Sequence, residues 1–391
     1  MCIILKWIGH RMKKRRIVFL TGTRADYGKI KSLIRVVEDM EGFEACIFAT
    51  GMHMLSKYGR TYKEILKDGY QNIYTYINQS GKETMDIILS NTILGFGNYV
   101  AEMKPDAIIV HGDRLEALAG AIVGAFNNIR VFHIEGGEVS GTIDESIRHA
   151  ITKFAHYHLV SNDKAKRRIM QLGEAEDNIY VFGSPDIDVM LSDSLPDIDT
   201  VRTYYEIPFR NYAILMYHPV TTEVDSLQEH IRAVVDGVLE SGQNYMVIYP
   251  NNDSGTNIIL RELERLEGNP RFRVLPSMRF EFFLSLLKHA NYIIGNSSSG
   301  IREAGVYGVP AIDIGSRQMG RYIAAENQHI IHVEEDVGQI KEAIRQAMDM
   351  RIQPSFDFGN GNSTEVFQSI ITDKAIWEKQ VQKRFIDMAN D

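Results

Sequence analysis

Cysteine is scarce in this sequence: the 391 residues contain only Cys2 and Cys46. Two cysteines provide neither a disulfide framework nor the paired spacing of a zinc site, which favours a reducing compartment such as the cytoplasm. Apolar runs of the ~20 residues needed to span a membrane are also missing. Basic residues do not exceed acidic ones, and the net charge of -8 argues against nucleic acid as a partner. We therefore expect a globular cytoplasmic protein with no membrane or nucleic-acid partner.

The glycine motif of dinucleotide-binding folds, Gly-x-Gly-x-x-Gly, does not follow the first predicted strand. The residues there are Thr21-Gly-Thr-Arg-Ala-Asp-Tyr-Gly-Lys29. A helix that starts at such a turn can hold a phosphate at its N-terminus, and Arg24 and Lys29 flank the turn. The alternative interpretation is an ordinary turn in which Asp26 caps the helix. No hydride-carrying cofactor is predicted.

Strand-like runs alternate with helical stretches along the chain, which predicts βαβ units and parallel sheets. The length of 391 residues exceeds the ~250–300 at which single cores stop growing, so two domains are expected. We predict an N-terminal extension over 1–12, an α/β domain over 13–190 and a second α/β domain over 205–370. A C-terminal helix within 371–391 could cross back to the first domain.

The densest group of charged residues lies between Ile108 and His149, at the ends of two predicted strands, 107–111 and 130–134. Because the carboxyl ends of neighbouring parallel strands share one crevice, these side chains are expected to converge there. Such a charge density is costly for a core that leaves it unpaired. We interpret this central charge cluster as a catalytic pocket for a substrate that gains and loses protons; its members are Asp113, Glu135, Asp144, Arg114, Arg148, His111, His133 and His149.

Helix capping is the competing interpretation for part of this cluster. Asp113-Arg-Leu-Glu116 and Thr142-Ile-Asp-Glu145 both fit the capping box, with an N-cap followed three residues later by glutamate. Glu116 and Glu145 are therefore expected to cap helices or to face solvent, whereas Asp113 could both cap and function.

Metal binding is a further alternative, since residues two apart on a strand share a face, as in His111-x-Asp113 and His133-x-Glu135. The neighbouring arginines would repel a divalent cation, and no helical His-Glu-x-x-His spacing is present. We predict no metal site.

The second half of the chain has its own polar strand ends. Gly295-Asn-Ser-Ser-Ser-Gly-Ile-Arg-Glu303 offers backbone N–H and hydroxyl donors that suit a diphosphate, although a capped helix start is the simpler interpretation. Glu303 could accept hydrogen bonds from ribose hydroxyls. Arg317, in the next strand-end loop, is a second candidate diphosphate contact, because a guanidinium forks well onto phosphate. His218 ends another strand and is predicted to contact phosphate.

Together these motifs resemble the UDP-N-acetylglucosamine 2-epimerase family, and most closely its hydrolysing branch, the NeuC-type enzymes of bacterial sialic-acid and capsule synthesis. Ala25-Asp26 stands where the non-hydrolysing members have Pro-Glu. The motifs that carry the resemblance span the chain from about residue 14 to the C-terminus; they are Thr21–Lys29, Thr50–Met54, Tyr58–Tyr62, His111–Gly120, His133–Glu138, Asp144–His149, Gly183–Asp186, His218–Thr222, Gly295–Glu303 and Gly315–Gln318.

The resemblance implies the GT-B architecture, with two Rossmann-like domains and an active site in the cleft between them. It implies that UDP-N-acetylglucosamine (UDP-GlcNAc) and water become UDP and N-acetylmannosamine. Elimination of UDP would give a 2-acetamidoglucal, which is then hydrated. A homodimer or homotetramer without cofactor or metal is expected.

The resemblance also implies the roles of individual residues. Proton transfer would fall to Asp113, Glu135 and Asp144, with no assignment of which acts in which step. The substrate would be bound from both sides of the cleft, by Arg24, Ala25, Asp26, Lys29, His53, Arg114 and Arg148 in the first half and by His218, Asn251, Met278, Ser297, Ser298, Glu303 and Arg317 in the second.

Four alternatives stay open. The same chemistry on a UDP-2,4-diacetamido-2,4,6-trideoxyhexose, as in the legionaminic-acid branch, would change only residues near C4 and C6. A non-hydrolysing epimerase would return a UDP-sugar. A GT-B glycosyltransferase would need an acceptor. A sugar-nucleotide sensor would bind without reaction, but it has no use for three strand-end carboxylates.

Overall fold

The computed structural model describes residues 14–140, 142–251, 253–322 and 327–387. The predicted N-terminal extension, 1–12, lies outside the described residues. Two parallel sheets flanked by helices are present, which confirms the predicted α/β class. Within the described ranges, no helix is both long and apolar enough to cross a membrane.

The first sheet places the central charge cluster at one edge. Its neighbouring strands are all parallel, in the order 3-2-1-4-5-6-7 along the sheet. The first, fourth and fifth strands are therefore side by side, and their carboxyl ends meet. The bounds are β1 (Arg15–Thr21), β2 (Phe43–Ala49), β3 (Ile73–Thr75), β4 (Ala107–His111), β5 (Arg130–Ile134), β6 (Tyr157–Val160) and β7 (Ile179–Val181).

Seven α-helices precede residue 192 in the described part of the chain and accompany this sheet. Most have an apolar stripe that packs on buried strands rich in Val and Ile, as expected for a sheet covered on both faces. Single 3-10 turns occur at 51–54, 56–58 and 176–178. The helices are α1 (Arg24–Asp39), α2 (Tyr62–Lys67), α3 (Met85–Met103), α4 (Leu115–Phe126), α5 (Ile143–Phe154), α6 (Asp163–Gln171) and α7 (Pro185–Leu191).

The capping predictions need correction at two helices. The N-cap of α1 is Thr23, whose hydroxyl accepts from the Asp26 backbone N–H at 3.1 Å, so Asp26 is not the cap. At α4 the N-cap is Arg114, with no side-chain capping bond, because the Asp113 carboxylate pairs with an arginine instead. Glu116 is not solvent-exposed either; its residue exposure is 2%.

The predicted cap of α5 is present. The Thr142 hydroxyl accepts from the Asp144 backbone N–H at 3.3 Å. Glu145 accepts from the backbone N–H of Ser140 at 2.7 Å, which satisfies a further donor just ahead of the helix. The start of α5 is thereby fixed next to the ends of β4 and β5.

The second sheet repeats the design with six parallel strands, in the order 10-9-8-11-12-13. Its strands are β8 (Ala213–Met216), β9 (Tyr245–Ile248), β10 (Phe272–Leu275), β11 (Ile293–Gly295), β12 (Ala311–Ile314) and β13 (Ile330–Val333). Its helices are α8 (Ile198–Tyr205), α9 (Leu227–Glu240), α10 (Thr256–Leu263), α11 (Phe280–Lys288), α12 (Ser298–Ile301), α13 (Glu303–Val306) and α14 (Val337–Asp349), with a 3-10 turn at 264–266.

The C-terminal segment returns to the first domain. It begins with α15 (Ser363–Thr372) and α16 (Lys374–Glu378), and Phe367 of α15 is fully buried in the first domain's core beside Phe19. The predicted boundary at 370 is therefore too late. The predicted C-terminal helix within 371–391 is short in the described residues, because α16 ends at Glu378. The chain then follows the first domain to residue 387 without helix or strand, and Lys383 donates to the backbone carbonyl of Thr152 at 2.9 Å.

Candidate active site

The carboxyl ends of the two sheets face each other across a cavity of about 280 Å³. Residues of both domains line it. Every residue predicted for the site lines this cavity except His53. Topology accounts for the convergence, because each predicted side chain follows a strand or begins a helix at the same edge of its sheet.

His53 is a correction to the predicted binding set. Its ring is fully buried, with Nδ1 2.7 Å from the Thr61 hydroxyl and Nε2 3.2 Å from the Thr21 hydroxyl. Burial lowers the pKa of His53 to about 4, so the ring is neutral. It supports the end of β1 from behind the cavity. The sequence could not show that the ring points away from the cavity.

Glu135 follows β5 and lies at the centre of the site. Its φ of +64° is left-handed, which is uncommon for glutamate and turns the carboxylate back over the strand ends. Arg302 of the second domain donates to Oε1 at 2.6 Å, and the Ser184 hydroxyl also donates to Oε1. Burial opposes ionisation, but Arg302, Lys29 and His111 hold the pKa of Glu135 well below its usual range. Glu135 is therefore a carboxylate at neutral pH.

His111, the last residue of β4, bridges two carboxylates. Its Nδ1 is 3.0 Å from Asp26 Oδ1, and its Nε2 is 3.3 Å from Glu135 Oε2. Burial works against the charge, yet Glu135 and Asp26 raise the pKa of His111 to about 9. The imidazolium fixes the positions of Asp26 and Glu135 relative to each other.

The other two histidines of the central charge cluster do not line the cavity. His133 is fully buried under the sheet edge, with Nε2 2.8 Å from the Gly112 carbonyl oxygen. His149 lies 3.5 Å from Glu145 on the partly exposed side of α5. Alternation alone would give His133 and Glu135 the same face, since they are two residues apart. Glu135 lies beyond the end of β5 with a left-handed φ of +64°, and of the two only Glu135 lines the cavity.

Asp113 and Asp144 lie in environments that shift their pKa values in opposite directions. Burial alone would raise the pKa of Asp113. Arg148 donates directly to this carboxylate, and Arg148 and Arg321 together lower its pKa to about 2. Burial and the nearby Asp113 raise the pKa of Asp144, although Arg317 lies 3.7 Å away. Carboxyls whose pKa values are pushed apart are suited to opposite roles in proton transfer.

The second domain contributes a neutral histidine. The His218 backbone N–H donates to Asn296 at 2.6 Å, which fixes the loop after β8. Burial, followed by Arg317 and Arg114, lowers the pKa of His218 well below its usual range. The Asn251 backbone N–H donates to His218 Nδ1 at 3.1 Å, so Nε2 carries the proton and can donate to a ligand.

The segment Gly295–Glu303 contains the four-residue helix α12 and the first residue of α13, and the two helices are separated by Arg302. Glu303 and Asp186 both contact the Lys29 ammonium, at 2.9 and 2.8 Å. Burial raises the pKa of Glu303 against the effect of Lys29, and its Oε2 has no hydrogen-bond partner in the described structure. That oxygen suits a ligand hydroxyl, whereas Lys29 is already occupied by two carboxylates.

Two arginines of the first domain reach across the cleft. Arg24 Nη1 donates to the Ser277 hydroxyl at 2.9 Å, and its Nη2 lies 2.6 Å from Glu64. Arg114 Nη2 is 3.6 Å from Asp253. Both guanidinium groups therefore lie where they can contact an anion held by the second domain.

Arg302 and Arg321 line the cavity but were not predicted as site residues. Arg302 directly precedes Glu303 and could have been suspected from the motif. Arg321 lies four residues after Arg317, and no sequence pattern identifies it as a site residue. Glu116, predicted to cap a helix or to face solvent, also lines the cavity.

The two facing parallel α/β domains and the charged cleft between them define a protein of GT-B architecture. A crystal structure of Methanocaldococcus jannaschii UDP-GlcNAc 2-epimerase in complex with UDP-GlcNAc and UDP superposes with a TM-score of 0.79 at 23% identity, covering 91% of this chain and 99% of that chain. The sequence profile described as UDP-N-acetylglucosamine 2-epimerase matches residues 35–372. The chain belongs to the UDP-N-acetylglucosamine 2-epimerase family.

The relatives in sequence cover between 78% and 96% of this chain. The UDP-N-acetylglucosamine 2-epimerase of Neisseria meningitidis serogroup B is 47% identical over 378 residues, which is 96% of this chain and 99% of the relative. The UDP-N,N'-diacetylbacillosamine 2-epimerase (hydrolyzing) of Legionella pneumophila is 32% identical, with 90% and 94% covered. Polysialic acid biosynthesis protein P7 of Escherichia coli is 32% identical, with 78% and 80% covered.

Proposed function

We propose that this chain is a hydrolysing UDP-N-acetylglucosamine 2-epimerase, which converts UDP-GlcNAc and water to UDP and N-acetylmannosamine in bacterial sialic-acid biosynthesis. The observation that carries the proposal is the composition of one cleft. It contains carboxyls whose pKa values are shifted in opposite directions, together with side chains that can donate hydrogen bonds to a diphosphate. The 47% identical neisserial relative and the polysialic-acid relative support this substrate and pathway.

The first step is elimination of UDP. The C1–O bond breaks and its electron pair leaves with UDP, while an ionised carboxylate removes the proton from C2 and the C–H electrons form the C1=C2 bond. Glu135 and Asp113 are the ionised candidates for this base. His218, Ser297, Ser298 and Arg317 are placed to stabilise the charge that develops on the diphosphate.

The second step is hydration of the glycal. Water adds at C1 and gives a proton to a carboxylate, and C2 receives a proton on the opposite face, which inverts that centre. Asp144 is our choice for the donor, because burial and Asp113 raise its pKa and keep it protonated more readily than its neighbours. General acids and bases of this kind are each worth ~10²–10⁴ in rate.

Nucleotide binding falls mainly to the second domain in this proposal. Glu303, with a buried and unpaired Oε2, accepts from ribose hydroxyls. Asn251 and Met278 line the cavity at the carboxyl ends of β9 and β10, where a base would be held. Arg24 and Arg114 approach the diphosphate from the first domain, and closure over the substrate excludes water from the glycal.

The second candidate keeps the chemistry and changes the sugar. The Legionella relative is named for UDP-N,N'-diacetylbacillosamine and for hydrolysis, and it is 32% identical. The higher identity to the neisserial protein favours UDP-GlcNAc. The non-hydrolysing alternative is disfavoured by Ala25-Asp26 in the first loop.

The decisive experiment is incubation of the purified protein with UDP-GlcNAc in deuterated water, followed by proton NMR. The proposal expects free UDP and N-acetylmannosamine with deuterium at C2. A deuterated UDP-sugar without UDP release would make the protein a non-hydrolysing epimerase. Unchanged UDP-GlcNAc would overturn the substrate assignment, and turnover of the 2,4-diacetamido sugar nucleotide would then establish the second candidate.

We also infer a cytoplasmic homodimer or homotetramer. The near absence of cysteine supports the compartment. Light scattering of the purified chain would give the oligomeric state, and a monomeric mass would contradict this inference.

A further inference from the structure

Arginines line the cavity from both domains, and all but one of them form an ion pair with a carboxylate. The exception within the described ranges is Arg321. The five pairs are Arg24 with Glu64 at 2.6 Å, Arg114 with Asp253 at 3.6 Å, Arg302 with Glu135 at 2.6 Å, Arg317 with Asp144 at 3.7 Å, and Arg148 with Asp113.

Arg321 is held in place by a turn and leaves donors unused. Its backbone N–H donates to the Gln318 carbonyl oxygen at 3.0 Å, and Nη1 donates to the Gln318 side chain at 2.9 Å. The Gln318 amide is itself fixed, since its Nε2 donates to the Asn296 carbonyl oxygen at 2.8 Å. The Nε–H of Arg321 is buried with no hydrogen-bond partner in the described structure. A buried donor without an acceptor is costly, so a ligand acceptor is expected there.

Arg321 lines the cavity, and Asp113, which is proposed for proton transfer at C2, is among the charges that act on it. The charges that act on its pKa are Arg148 and Arg302, which repel it, and Glu138 and Asp113, which attract it. Burial, followed by Arg148, lowers the pKa of Arg321 to about 10, which still leaves it charged at neutral pH.

The diphosphate side has different arginines. The charged neighbours that act on His218, the predicted phosphate contact, are Arg317 and Arg114. The pKa of Asp113 is lowered more by Arg321 than by Arg317. Arg317 lies 3.7 Å from Asp144 and donates to the Asn296 carbonyl oxygen at 3.0 Å, so the two arginines of this loop act mainly on different carboxyls.

We propose that Arg321 is a specificity residue that binds the carbonyl oxygen of the substrate's 2-acetamido group. This inference rests on the proposed function. An amide oxygen has two lone pairs in one plane, which match the planar fork of a guanidinium. The acetamido group is attached to C2, the carbon that loses and regains a proton. Its capture by Arg321 places C2 next to Asp113 and sets the preference for an N-acetylated sugar.

The test compares Arg321→Met with Arg317→Met, the same substitution in the same loop. Three ligands are measured: UDP, UDP-glucose, which has a hydroxyl at C2, and UDP-GlcNAc. In Arg321→Met we expect kcat/KM for UDP-GlcNAc to fall roughly 10- to 100-fold, the worth of a hydrogen bond to a charged group. The Kd for UDP and the Ki for UDP-glucose should stay close to wild type. Arg317→Met should weaken all three ligands.

Two outcomes would overturn the inference. Equal losses for UDP, UDP-glucose and UDP-GlcNAc in Arg321→Met would make Arg321 a phosphate contact, and an unchanged kcat/KM would remove it from the site. Thermal unfolding checks the fold. Arg321→Lys, which keeps the charge and loses the fork, allows the same comparison if the methionine variant does not fold.

Failure of the proposed function gives a different signature. If wild type does not turn over UDP-GlcNAc, calorimetric Kd values replace kcat/KM. The inference then requires that wild type binds UDP-GlcNAc more tightly than UDP-glucose and that Arg321→Met loses this difference in Kd. Absence of the preference in wild type would overturn the inference.

Discussion

Arg302 of the second domain donates to Glu135 of the first domain at 2.6 Å, and both side chains are buried. Glu135 directly follows β5 of the first domain, and Arg302 lies between α12 and α13 of the second domain. Leaving either charge buried alone would cost several kcal/mol. The ionised state of Glu135 is thus a property of the two domains together.

Removal of single carboxylate charges should stop the chemistry and spare nucleotide binding. For Glu135→Gln and Asp113→Asn we expect turnover of UDP-GlcNAc to fall by ~10²–10⁴. UDP should still bind, because the proposed diphosphate contacts are unchanged. Coupled detection of UDP gives the rate and calorimetry gives the Kd. Near-normal rates in both variants would refute the assignment of these carboxyls to proton transfer.

Loss of Arg302 should shift the acid limb of the pH profile. Arg302 is the largest influence that lowers the pKa of Glu135 against burial. In Arg302→Met that pKa rises, so activity that needs the carboxylate should disappear at a higher pH than in wild type. The measurement is kcat/KM against pH, with Arg302→Lys as the control that keeps the charge. An acid limb at the wild-type position in the methionine variant would contradict the coupling.

His111 should make stability depend on pH above neutrality. Its pKa is about 9 in the folded chain against an ordinary value of 6.5, so the folded state holds the proton more tightly. The stabilisation is complete below pH 6.5 and is lost as pH rises through 9. The Tm of wild type should therefore fall more steeply than that of His111→Gln over this interval. Parallel Tm curves would show that Glu135 and Asp26 do not stabilise the imidazolium.

The returning segment should stabilise the first domain. Phe367 is fully buried beside Phe19, so Phe367→Ala should cost ~3–5 kcal/mol of unfolding free energy. Phe356, which is 44% exposed, provides the matched control, and Phe356→Ala should stay within about 0.5 kcal/mol of wild type. Urea denaturation measures both. Equal effects would mean that the segment adds no packing to the core.

The sequence was most informative at the strand ends. Strands 107–111 and 130–134 have the predicted bounds, because β-branched runs bounded by polar residues specify buried parallel strands. Asp113, Glu135, Asp144, Ser297 and Arg317 line one cavity because topology sends every parallel strand end to one edge. Sequence reasoning failed where two interpretations share a pattern: Asp113-Arg-Leu-Glu116 fits a capping box, and only packing decides that Asp113 meets Arg148 instead.

The sequence by itself determined the two α/β halves, the set of charged residues and the family, since these depend on local periodicity and on motifs that are contiguous in the chain. Tertiary structure alone decided which charges are paired. His53 lies just after β2 and His111 ends β4, yet His53 supports the sheet from behind the cavity and His111 bridges Asp26 and Glu135. Arg302 and Arg321 obtain their roles from the opposite domain. Pairing depends on distances of a few ångströms between segments remote in sequence, and those distances exist only once the two domains have closed on each other.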